Sequence, residues 1–254
     1  MNGNVAFVTG GASGIGRATA RAFLALGVRV AIVDIDREAA SSAVDELKAI
    51  GPQIMPIVAD LSDTDRLDAV FQTAVSRLGK VDYLVNSAAI LGGTYDFLGI
   101  GSDEWDRVIR LNLKAPMMLM QAFGRHAVSR GGGGRIVTVT SSSAFRAQKT
   151  RPAYGTSKGG LTTLTRIAAA QLAEHDINVN AVAPGITNTP GATVGMNVGF
   201  ATLQEKVSDG PNANFFKRVT EPDDVAATIT FLCSPGARQI TGQTVHVSAG
   251  TITP

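Results

Sequence analysis

Two side chains in the second half of the chain have the types and the spacing for proton transfer. Tyr154 and Lys158 are four residues apart, so in a helix they lie on the same face, one turn apart. Exchange of protons at neutral pH requires that the ordinary tyrosine pKa be lowered by about 3, which corresponds to ~4 kcal/mol. A neighbouring ammonium lowers it. We predict that Tyr154 is a general acid/base helped by Lys158, although an isolated pair is more often a surface tyrosine beside a solvated lysine.

A glycine-rich segment near the N-terminus has the pattern of a phosphate-binding turn. Residues 9–16 read Thr-Gly-Gly-Ala-Ser-Gly-Ile-Gly, directly after an apolar run and before a helical pattern. Gly10, Gly14 and Gly16 let the backbone turn tightly and approach a pyrophosphate. The N-terminus of the following helix offers free N–H groups and a positive dipole end. Glycines alone would indicate only a tight strand–helix turn.

Asp34 adds the second half of a dinucleotide-binding signal. It closes the next apolar run, 18 residues after Gly16, near the position where an acidic side chain holds the adenosine ribose hydroxyls. A carboxylate there accepts hydrogen bonds from two hydroxyls and repels a 2′-phosphate. We therefore predict NAD as the cofactor rather than NADP, although Arg37 and Arg17 lie near enough in sequence to weaken that preference.

Strand and helix patterns alternate along the whole chain. We predict seven strands, at residues 4–9, 28–34, 54–59, 82–86, 135–140, 177–182 and 244–247. We predict six helices between them, at residues 14–26, 37–50, 63–78, 103–129, 154–174 and 221–233. Strands that are apolar throughout are typical of a sheet covered on both faces. The pattern predicts an α/β Rossmann fold, a doubly wound parallel sheet of about seven strands with helices on both faces.

We find no linker, repeat or change of composition that would divide the sequence. A length of 254 residues suits one large domain, so residues 1–254 are predicted to form a single dinucleotide-binding and catalytic domain. The segment 187–216 lacks a strand signal and is rich in Gly, Asn and Pro. A long segment without clear structure beside the ligand-binding edge of a sheet indicates a substrate lid.

The composition excludes several classes of protein. The content of 44% hydrophobic and 17% charged residues is that of an ordinary globular chain. A net charge of +2 does not indicate the strongly basic surface of a nucleic-acid-binding protein. A single cysteine and three scattered histidines predict neither a disulfide scaffold nor a metal site. Because there is no signal peptide pattern and no long apolar run, we expect a cytoplasmic protein that does not contact a membrane.

Together, the glycine pattern at 9–16 and the Tyr-x-x-x-Lys pattern at 154–158 resemble the short-chain dehydrogenase/reductase family. The resemblance covers residues 4–250, nearly the whole chain. Ser141, 13 residues before Tyr154, matches the family serine that hydrogen-bonds the substrate oxygen, and that spacing selects it over its two serine neighbours. Asn112 matches the helix asparagine that orders a proton-relay water. The resemblance therefore implies the catalytic set Asn112, Ser141, Tyr154 and Lys158.

The resemblance also implies where the cofactor binds. Asp60 and Leu61 match a pair beside the adenine, Asn86 begins the turn after the fourth strand, and residues 184–189 match the segment that meets the nicotinamide carboxamide. The implied cofactor-binding residues are Gly10, Ser13, Gly14, Ile15, Gly16, Asp34, Asp60, Leu61, Asn86, Ala88, Tyr154, Lys158, Pro184, Gly185, Ile186 and Thr189.

For such a protein the implied activity is hydride transfer between NAD(H) and a small secondary alcohol or ketone. Ser141 would position the substrate oxygen, Tyr154 would exchange its proton and Lys158 would hold the nicotinamide ribose. Alternatives are an NADPH-dependent reductase similar to 3-oxoacyl-carrier-protein reductase, against which Asp34 counts, and a non-catalytic NAD-binding sensor. Glycine-rich methyltransferases share the turn but have no use for Tyr154 and Lys158. Family members usually pair two helices between subunits, so a homodimer or homotetramer is expected.

The sequence departs from the family pattern at two places. The turn usually written Asn-Asn-Ala-Gly reads Asn-Ser-Ala-Ala at 86–89, which adds a Cβ where the backbone runs close to the cofactor. Residues 248–250 read Ser-Ala-Gly where Asp-Gly-Gly is frequent. Both departures concern cofactor affinity and leave the four catalytic positions intact.

One loop bears on the choice of substrate. Arg146, Lys149 and Arg151 lie close in sequence to Tyr154. They would attract an anionic substrate such as a carboxylate, a phosphate or an acyl thioester. The alternative is an ordinary solvated loop or a contact between subunits.

Overall fold

The computed structural model describes residues 1–51 and 53–253. Its seven strands form one parallel sheet in the order β3-β2-β1-β4-β5-β6-β7, which confirms the predicted doubly wound sheet. The strand order reverses between β1 and β4, and ligands of such sheets bind at the carboxyl ends of the strands at that point. The strands are β1 (Val5–Thr9), β2 (Arg29–Asp34), β3 (Ile54–Val58), β4 (Tyr83–Asn86), β5 (Gly134–Val139), β6 (Ile177–Pro184) and β7 (Thr244–Val247).

Helices cover both faces of the sheet, and each face has its own apolar core. Helices α3, α5 and α6 pack on one face, and α1, α2 and α9 pack on the other. Within the described ranges, no helix has both the length and the apolar character needed to span a membrane. The nine helices of the described chain are α1 (Gly14–Ala25), α2 (Arg37–Leu47), α3 (Leu67–Leu78), α4 (Ser102–Ile109), α5 (Ala115–Ser129), α6 (Pro152–Leu172), α7 (Pro190–Met196), α8 (Phe200–Ser208) and α9 (Pro222–Cys233).

The helix predicted over residues 103–129 is divided by one turn of π-helix at Arg110–Lys114. The N–H of Ala115 bonds to the carbonyl of Arg110, five residues earlier. Pro116, which has no N–H, cannot make the regular bond to the carbonyl of Asn112, four residues before it. Turns of this kind are frequent at functional sites, and this one contains the fully buried Asn112.

The segment 187–216 differs from its prediction, because it contains helices α7 and α8. Thr189 caps α7, its side chain accepting a hydrogen bond from Ala192 N at 3.1 Å, and a proline follows at the first helical position. In α8, Leu203 and Val207 lie one turn apart and are fully buried together with Val219. The helices are short and α7 contains two glycines, so tertiary packing forms them where the local pattern is weak.

The turn after β7 holds an alanine in the left-handed conformation. Ala249 has a φ of 50°, and its carbonyl accepts a hydrogen bond from Phe215 N at 2.9 Å. A Cβ in this conformation crowds the following carbonyl oxygen, which costs about 1–2 kcal/mol. This is one of the positions where the family frequently has glycine, so the departure noted in the sequence introduces backbone strain.

Ala249→Gly is therefore expected to raise the free energy of unfolding by about 0.5–1 kcal/mol, since relief of strain exceeds the extra entropy of an unfolded glycine. Equilibrium urea denaturation measures it. Ala213, an exposed loop alanine outside the left-handed region, is the matched control, and Ala213→Gly should leave stability unchanged or lower it. Equal destabilisation by the two changes would show that Ala249 is not strained.

Candidate active site

Two connected cavities lie at the carboxyl ends of the central strands. The larger has a volume of about 900 Å³ and the smaller about 480 Å³. They share wall residues, among them Ile15, Ile90 and Thr189. They therefore form one continuous cleft at the switch point of the sheet, where an open α/β fold binds its ligands.

The glycine turn forms one wall of the smaller cavity. Gly10, Ser13, Gly14 and Ile15 line it, and Gly10 and Gly14 have φ values of 63° and 51°. Gly16 lines neither cavity among the described residues. A Cβ on Gly16 would lie 2.1 Å from the carbonyl oxygen of Gly10, so its role in this structure is to permit the tight turn rather than to touch a ligand.

The N-terminus of α1 is open toward an anion. The side chain of the N-cap residue Ser13 makes no capping hydrogen bond within the described chain, and the first turn of α1 contains no acidic residue. Uncapped N–H groups and the positive end of the helix dipole are suited to a phosphate group. These features of the helix N-terminus fit the pyrophosphate of a dinucleotide. The tight turn before it fits as well, since a side chain at Gly16 would block that turn.

Asp34 lies at the other end of the smaller cavity, where its carboxylate is held by backbone groups. One oxygen accepts from Ala12 N at 3.1 Å and the other from Asp36 N at 3.3 Å. Asp60 and Leu61 line the same cavity. The two cations near Asp34 in sequence do not lie beside its carboxylate. Arg17 pairs with Glu46, and the exposed Arg37 lines neither cavity.

The turn after β4 packs directly against the glycine turn. The hydroxyl oxygen of Thr9 accepts hydrogen bonds from Ser87 N at 2.9 Å and Ala88 N at 3.1 Å. Ala88 lines the smaller cavity, whereas Asn86 is buried and lines neither. Ala89 has no left-handed φ, so the Cβ that replaces a family glycine there causes no backbone strain.

Three of the four predicted catalytic side chains meet on the wall of the larger cavity. Ser141 follows β5, and Tyr154 and Lys158 lie in the first two turns of α6. The hydroxyl groups of Ser141 and Tyr154 hydrogen-bond to each other. Lys158 Nζ donates to the carbonyl of Val139 at 2.8 Å and lies 5.7 Å from the centre of the Tyr154 ring. Pro184, Gly185, Ile186 and Thr189 complete the wall beside them.

In the protein alone, Lys158 is not among the influences on the pKa of Tyr154. Burial raises the pKa of Tyr154, and the influences that lower it are the hydrogen bond from Ser141 and the charge of Arg151. Lys158 is itself buried, and desolvation lowers its pKa to about 8. Desolvation therefore dominates both groups in the protein alone, which local sequence spacing does not reveal.

The buried lysine predicts a pH-dependent stability. Between about pH 8 and the ordinary pKa of 10.5, the unfolded state binds more protons than the folded state, so stability rises with pH. Below pH 8 the lysine is charged in the folded state, so the whole free-energy cost of burying an ammonium group lowers the stability. We expect the free energy of unfolding of Lys158→Met to exceed that of the wild type by most near pH 7. The difference between the two proteins should become smaller toward pH 10, as measured by urea denaturation.

The exposed Lys48, the C-cap residue of α2, supplies the control for this series. The stability difference between Lys48→Met and wild type should stay constant over the same pH range. A constant difference for Lys158→Met as well would contradict a buried ammonium at that position.

Asn112, the fourth predicted catalytic residue, lines neither cavity. Its Oδ1 accepts from Ile90 N at 2.9 Å, and its Nδ2 donates to Ile90 O at 2.8 Å and to Ser157 Oγ at 3.3 Å. Ser157 in turn donates to the carbonyl of Tyr154 at 2.7 Å. The asparagine side chain therefore connects the turn after β4 to the helix that carries Tyr154.

Sequence reasoning did not name several polar residues of the cleft walls, among them Arg107, Lys206 and Asn212, although the last two lie in the predicted lid segment. Arg107 lines both cavities, and Lys206 and Asn212 line the larger one. Arg107 is held by Glu104, its Nε donating to that carboxylate at 2.8 Å. Their i, i+3 spacing on α4 is a visible sequence signal, whereas for Lys206 and Asn212 the sequence indicates the lid segment but not which of its side chains reach the cleft. No cluster of metal-ligating side chains occurs among the residues described.

Comparisons with known proteins agree with this geometry. A family model described as Enoyl-(Acyl carrier protein) reductase matches residues 10–251. Galactitol 2-dehydrogenase of Agrobacterium fabrum is 34% identical, over 98% of this chain and 98% of its own. The 2-dehydro-3-deoxy-D-gluconate 5-dehydrogenase of Escherichia coli is 31% identical, over 98% and 96%.

Among solved structures, 7α-hydroxysteroid dehydrogenase complexed with NADH and 7-oxo glycochenodeoxycholic acid is 32% identical and aligns with a TM-score of 0.90, over 100% of this chain and 96% of that one. The matched proteins are named as dehydrogenases and reductases, and each alignment covers nearly the whole of this chain and nearly the whole of the relative. The chain belongs to the short-chain dehydrogenase/reductase family of oxidoreductases, as its motifs had indicated.

Proposed function

We propose that this oxidoreductase transfers a hydride between NAD(H) and a secondary alcohol or ketone, with Tyr154 as the general acid/base. The observation that carries the proposal is the hydrogen-bonded pair of Ser141 and Tyr154 on the wall of the larger cavity. That cavity continues into a cleft that ends at Asp34. A reacting oxygen, a nicotinamide and an adenosine ribose can thus be accommodated in one continuous space.

The bound nicotinamide would supply the hydride donor or acceptor, and the chain would control the proton and the orientation. Charge develops on the substrate oxygen during the reaction, so catalysis must act there. Ser141 donates a hydrogen bond to that oxygen and fixes its position. Tyr154 gives its phenolic proton to the oxygen during reduction and accepts the alcohol proton during oxidation.

Lys158 and Asn112 act behind this pair in the proposal. Lys158, held by the Val139 carbonyl, directs its remaining N–H donors toward the nicotinamide ribose. Asn112 fixes the start of α6 through Ser157, and its π-helical turn is proposed to order the water that returns the proton to solvent. The cofactor is held by the turn at Gly10 and Gly14 and by residues distributed along the cleft.

The choice of NAD rests on Asp34. Its carboxylate is fixed by Ala12 N and Asp36 N, which leaves lone pairs for two ribose hydroxyls and opposes a 2′-phosphate. One relative in the family is named for a polyol, one for a keto sugar acid, and a solved relative holds NADH. These names support a hydroxyl or keto group as the reacting function.

The segment 187–216 is proposed to be the substrate lid, since Ala192, Val194 and Met196 line the larger cavity from that side. The active form is proposed to be a cytoplasmic homodimer or homotetramer. Partly exposed apolar side chains on α5 and α6, such as Met117 and Ile167, support subunit pairing. Sedimentation as a single chain would contradict it.

The proposal is tested by nicotinamide absorbance over secondary alcohols, polyols and hydroxy acids, with NAD and NADP in parallel. Turnover with NAD is expected. Turnover with NADP alone would contradict the cofactor assignment and favour the reductase alternative. Tight NAD binding without any turnover across the panel would favour the non-catalytic sensor.

A further inference from the structure

The two cavities carry opposite charge. Asp34 and Asp60 line the smaller cavity, where Arg107 is the only basic residue among those described. The described lining of the larger cavity contains no Asp or Glu. Its charged residues are Arg107, Arg146, Lys149, Arg151, Lys158 and Lys206.

The phosphates of a dinucleotide do not account for this positive wall. The turn suited to a pyrophosphate, at Gly10 and Gly14, lines only the smaller cavity. Arg146, Lys149 and Lys206 line only the larger one. A second anion, placed beside Ser141 and Tyr154 rather than beside the glycine turn, would be needed to balance them.

Arg146 is the cation most in need of such a partner. Its guanidinium is partly buried, and its partners are the carbonyl of Pro211, at 2.6 Å, and the side-chain oxygen of Asn212. Both acceptors are neutral. Burial lowers the pKa of Arg146, which reflects a charge that has lost water without gaining a counter-ion. A desolvated charge of this kind is costly unless an opposite charge pairs with it.

Several arginines elsewhere in the described chain are paired with carboxylates, whereas Arg135 donates to the backbone carbonyls of Gly134 and Asp176. The ion pairs include Arg21–Asp223, Arg125–Asp68 and Arg130–Asp82. The absence of a carboxylate beside Arg146 is a property of the described cavity lining, which contains no Asp or Glu. It does not reflect a general shortage of acidic residues, since the whole chain has 21 against 23 basic ones.

Lys206 also lines the larger cavity. It lies on α8, in the segment 187–216, and is partly buried. Its ammonium makes no hydrogen bond or ion pair with the described part of the chain. The loop after β5 and the proposed lid thus both contribute cations to the same space, with Arg146 already bonded to the lid backbone.

We propose that the substrate carries an anionic group, a carboxylate or a phosphate, that binds between Arg146 and Lys206 while Ser141 and Tyr154 hold the reacting oxygen. This inference rests on the proposed function of the same site. Apolar wall residues, including Ile90, Ile186 and Met196, lie along the same cavity and suit the carbon skeleton that connects the two ends.

The test compares matched ketones with and without the charge. The pairs are acetoacetate with methyl acetoacetate, levulinate with methyl levulinate, and dihydroxyacetone phosphate with dihydroxyacetone. Reduction is followed as kcat/KM, and binding to the enzyme–NAD complex, in which a ketone cannot be reduced, is followed by titration calorimetry, which does not depend on turnover. The proteins are wild type, Arg146→Gln, Lys206→Gln and, as a matched control, Arg77→Gln, an exposed arginine on α3.

Wild type is expected to prefer the charged member of at least one pair by tenfold or more. Arg146→Gln and Lys206→Gln should each reduce that preference by about tenfold, the range for a lost hydrogen bond to a charged group, mainly through KM. Arg77→Gln should leave the preference unchanged. The anion is identified by which pairs, those with a carboxylate or the one with a phosphate, show the larger decrease in preference for the charged ketone.

Two results would overturn the inference. One is wild type binding charged and neutral members equally in every pair. The other is an equal decrease in kcat/KM for the charged and the neutral ketone of each pair in the variants. That result would mean that Arg146 only holds the lid in place. Failure of the proposed function has a different signature, in which NADH and the ketones bind but none is reduced.

Discussion

Tyr154→Phe is expected to lower kcat by about 10³-fold, the range for removal of a general acid/base, while NAD still binds. The phenyl ring keeps the packing of the original side chain, so the change removes only the hydroxyl bonded to Ser141. Single-turnover and steady-state absorbance assays measure the loss, and fluorescence quenching measures cofactor binding.

A pH profile separates the loss of a proton-transfer group from a loss of positioning. Burial raises the pKa of Tyr154, so in the wild type kcat/KM for alcohol oxidation should rise as the pH approaches that pKa and the phenolate forms. The variant should lose this rising limb. Tyr95→Phe, the same change at an exposed tyrosine outside the cavity linings, is the control and should retain both rate and profile. If Tyr154→Phe retained a tenth or more of the wild-type activity, Tyr154 would not be the general acid/base.

Asp34→Ser is expected to change the preference for NAD over NADP by about 10²-fold. Hydrogen bonds to a charged group contribute roughly 1.5–3 kcal/mol, so their loss weakens NAD binding. The same substitution removes the charge that repels a 2′-phosphate, so NADP binding improves. The ratio of kcat/KM for the two cofactors, with one common substrate, reports both effects.

Asp36→Ser provides a matched control for this experiment. Asp36 carries the same charge two residues later, but its carboxylate caps α2 through Glu38 N and Ala39 N and lines neither cavity. Because serine is about as good an N-cap residue as aspartate, Asp36→Ser should leave stability nearly unchanged and change the cofactor ratio far less than Asp34→Ser. Equal changes in the ratio for both variants would mean that net charge, rather than contact with the ribose, sets the preference.

The sequence carried most of the information about the sheet. Each strand is a short, nearly continuous apolar run, as burial on both faces requires, and the ends of the observed strands match the seven predicted runs to within two residues. The same regularity places Ser141 at a strand end and Tyr154 at the start of the next helix. Their meeting follows from the topology of adjacent parallel strands.

The parts that sequence reasoning missed depend on tertiary contacts. Helix α8 forms because Leu203 and Val207 are buried against Val219, a packing interaction that no local pattern reveals. The approach of Lys206 to the cleft depends on that packing. The raised pKa of Tyr154 has the same origin, since desolvation is a property of the folded surroundings rather than of spacing.

Two predicted cofactor contacts, Gly16 and Asn86, lie behind the cleft wall rather than on it. Their neighbours Ile15 and Ala88 line it. A motif identifies the turn that approaches a ligand, but which residues of the turn face the ligand is decided by how the turn packs.

The most direct test of hydride transfer is isotopic. A secondary alcohol active in the panel assay is prepared with deuterium on its carbinol carbon and oxidised by the enzyme with NAD. The recovered nicotinamide cofactor is then examined by mass spectrometry. The account predicts reduced NAD carrying one deuterium, on a single face of the ring, and no such product with Tyr154→Phe on the same timescale. Reduced cofactor without deuterium, or undiminished transfer by the variant, would contradict it.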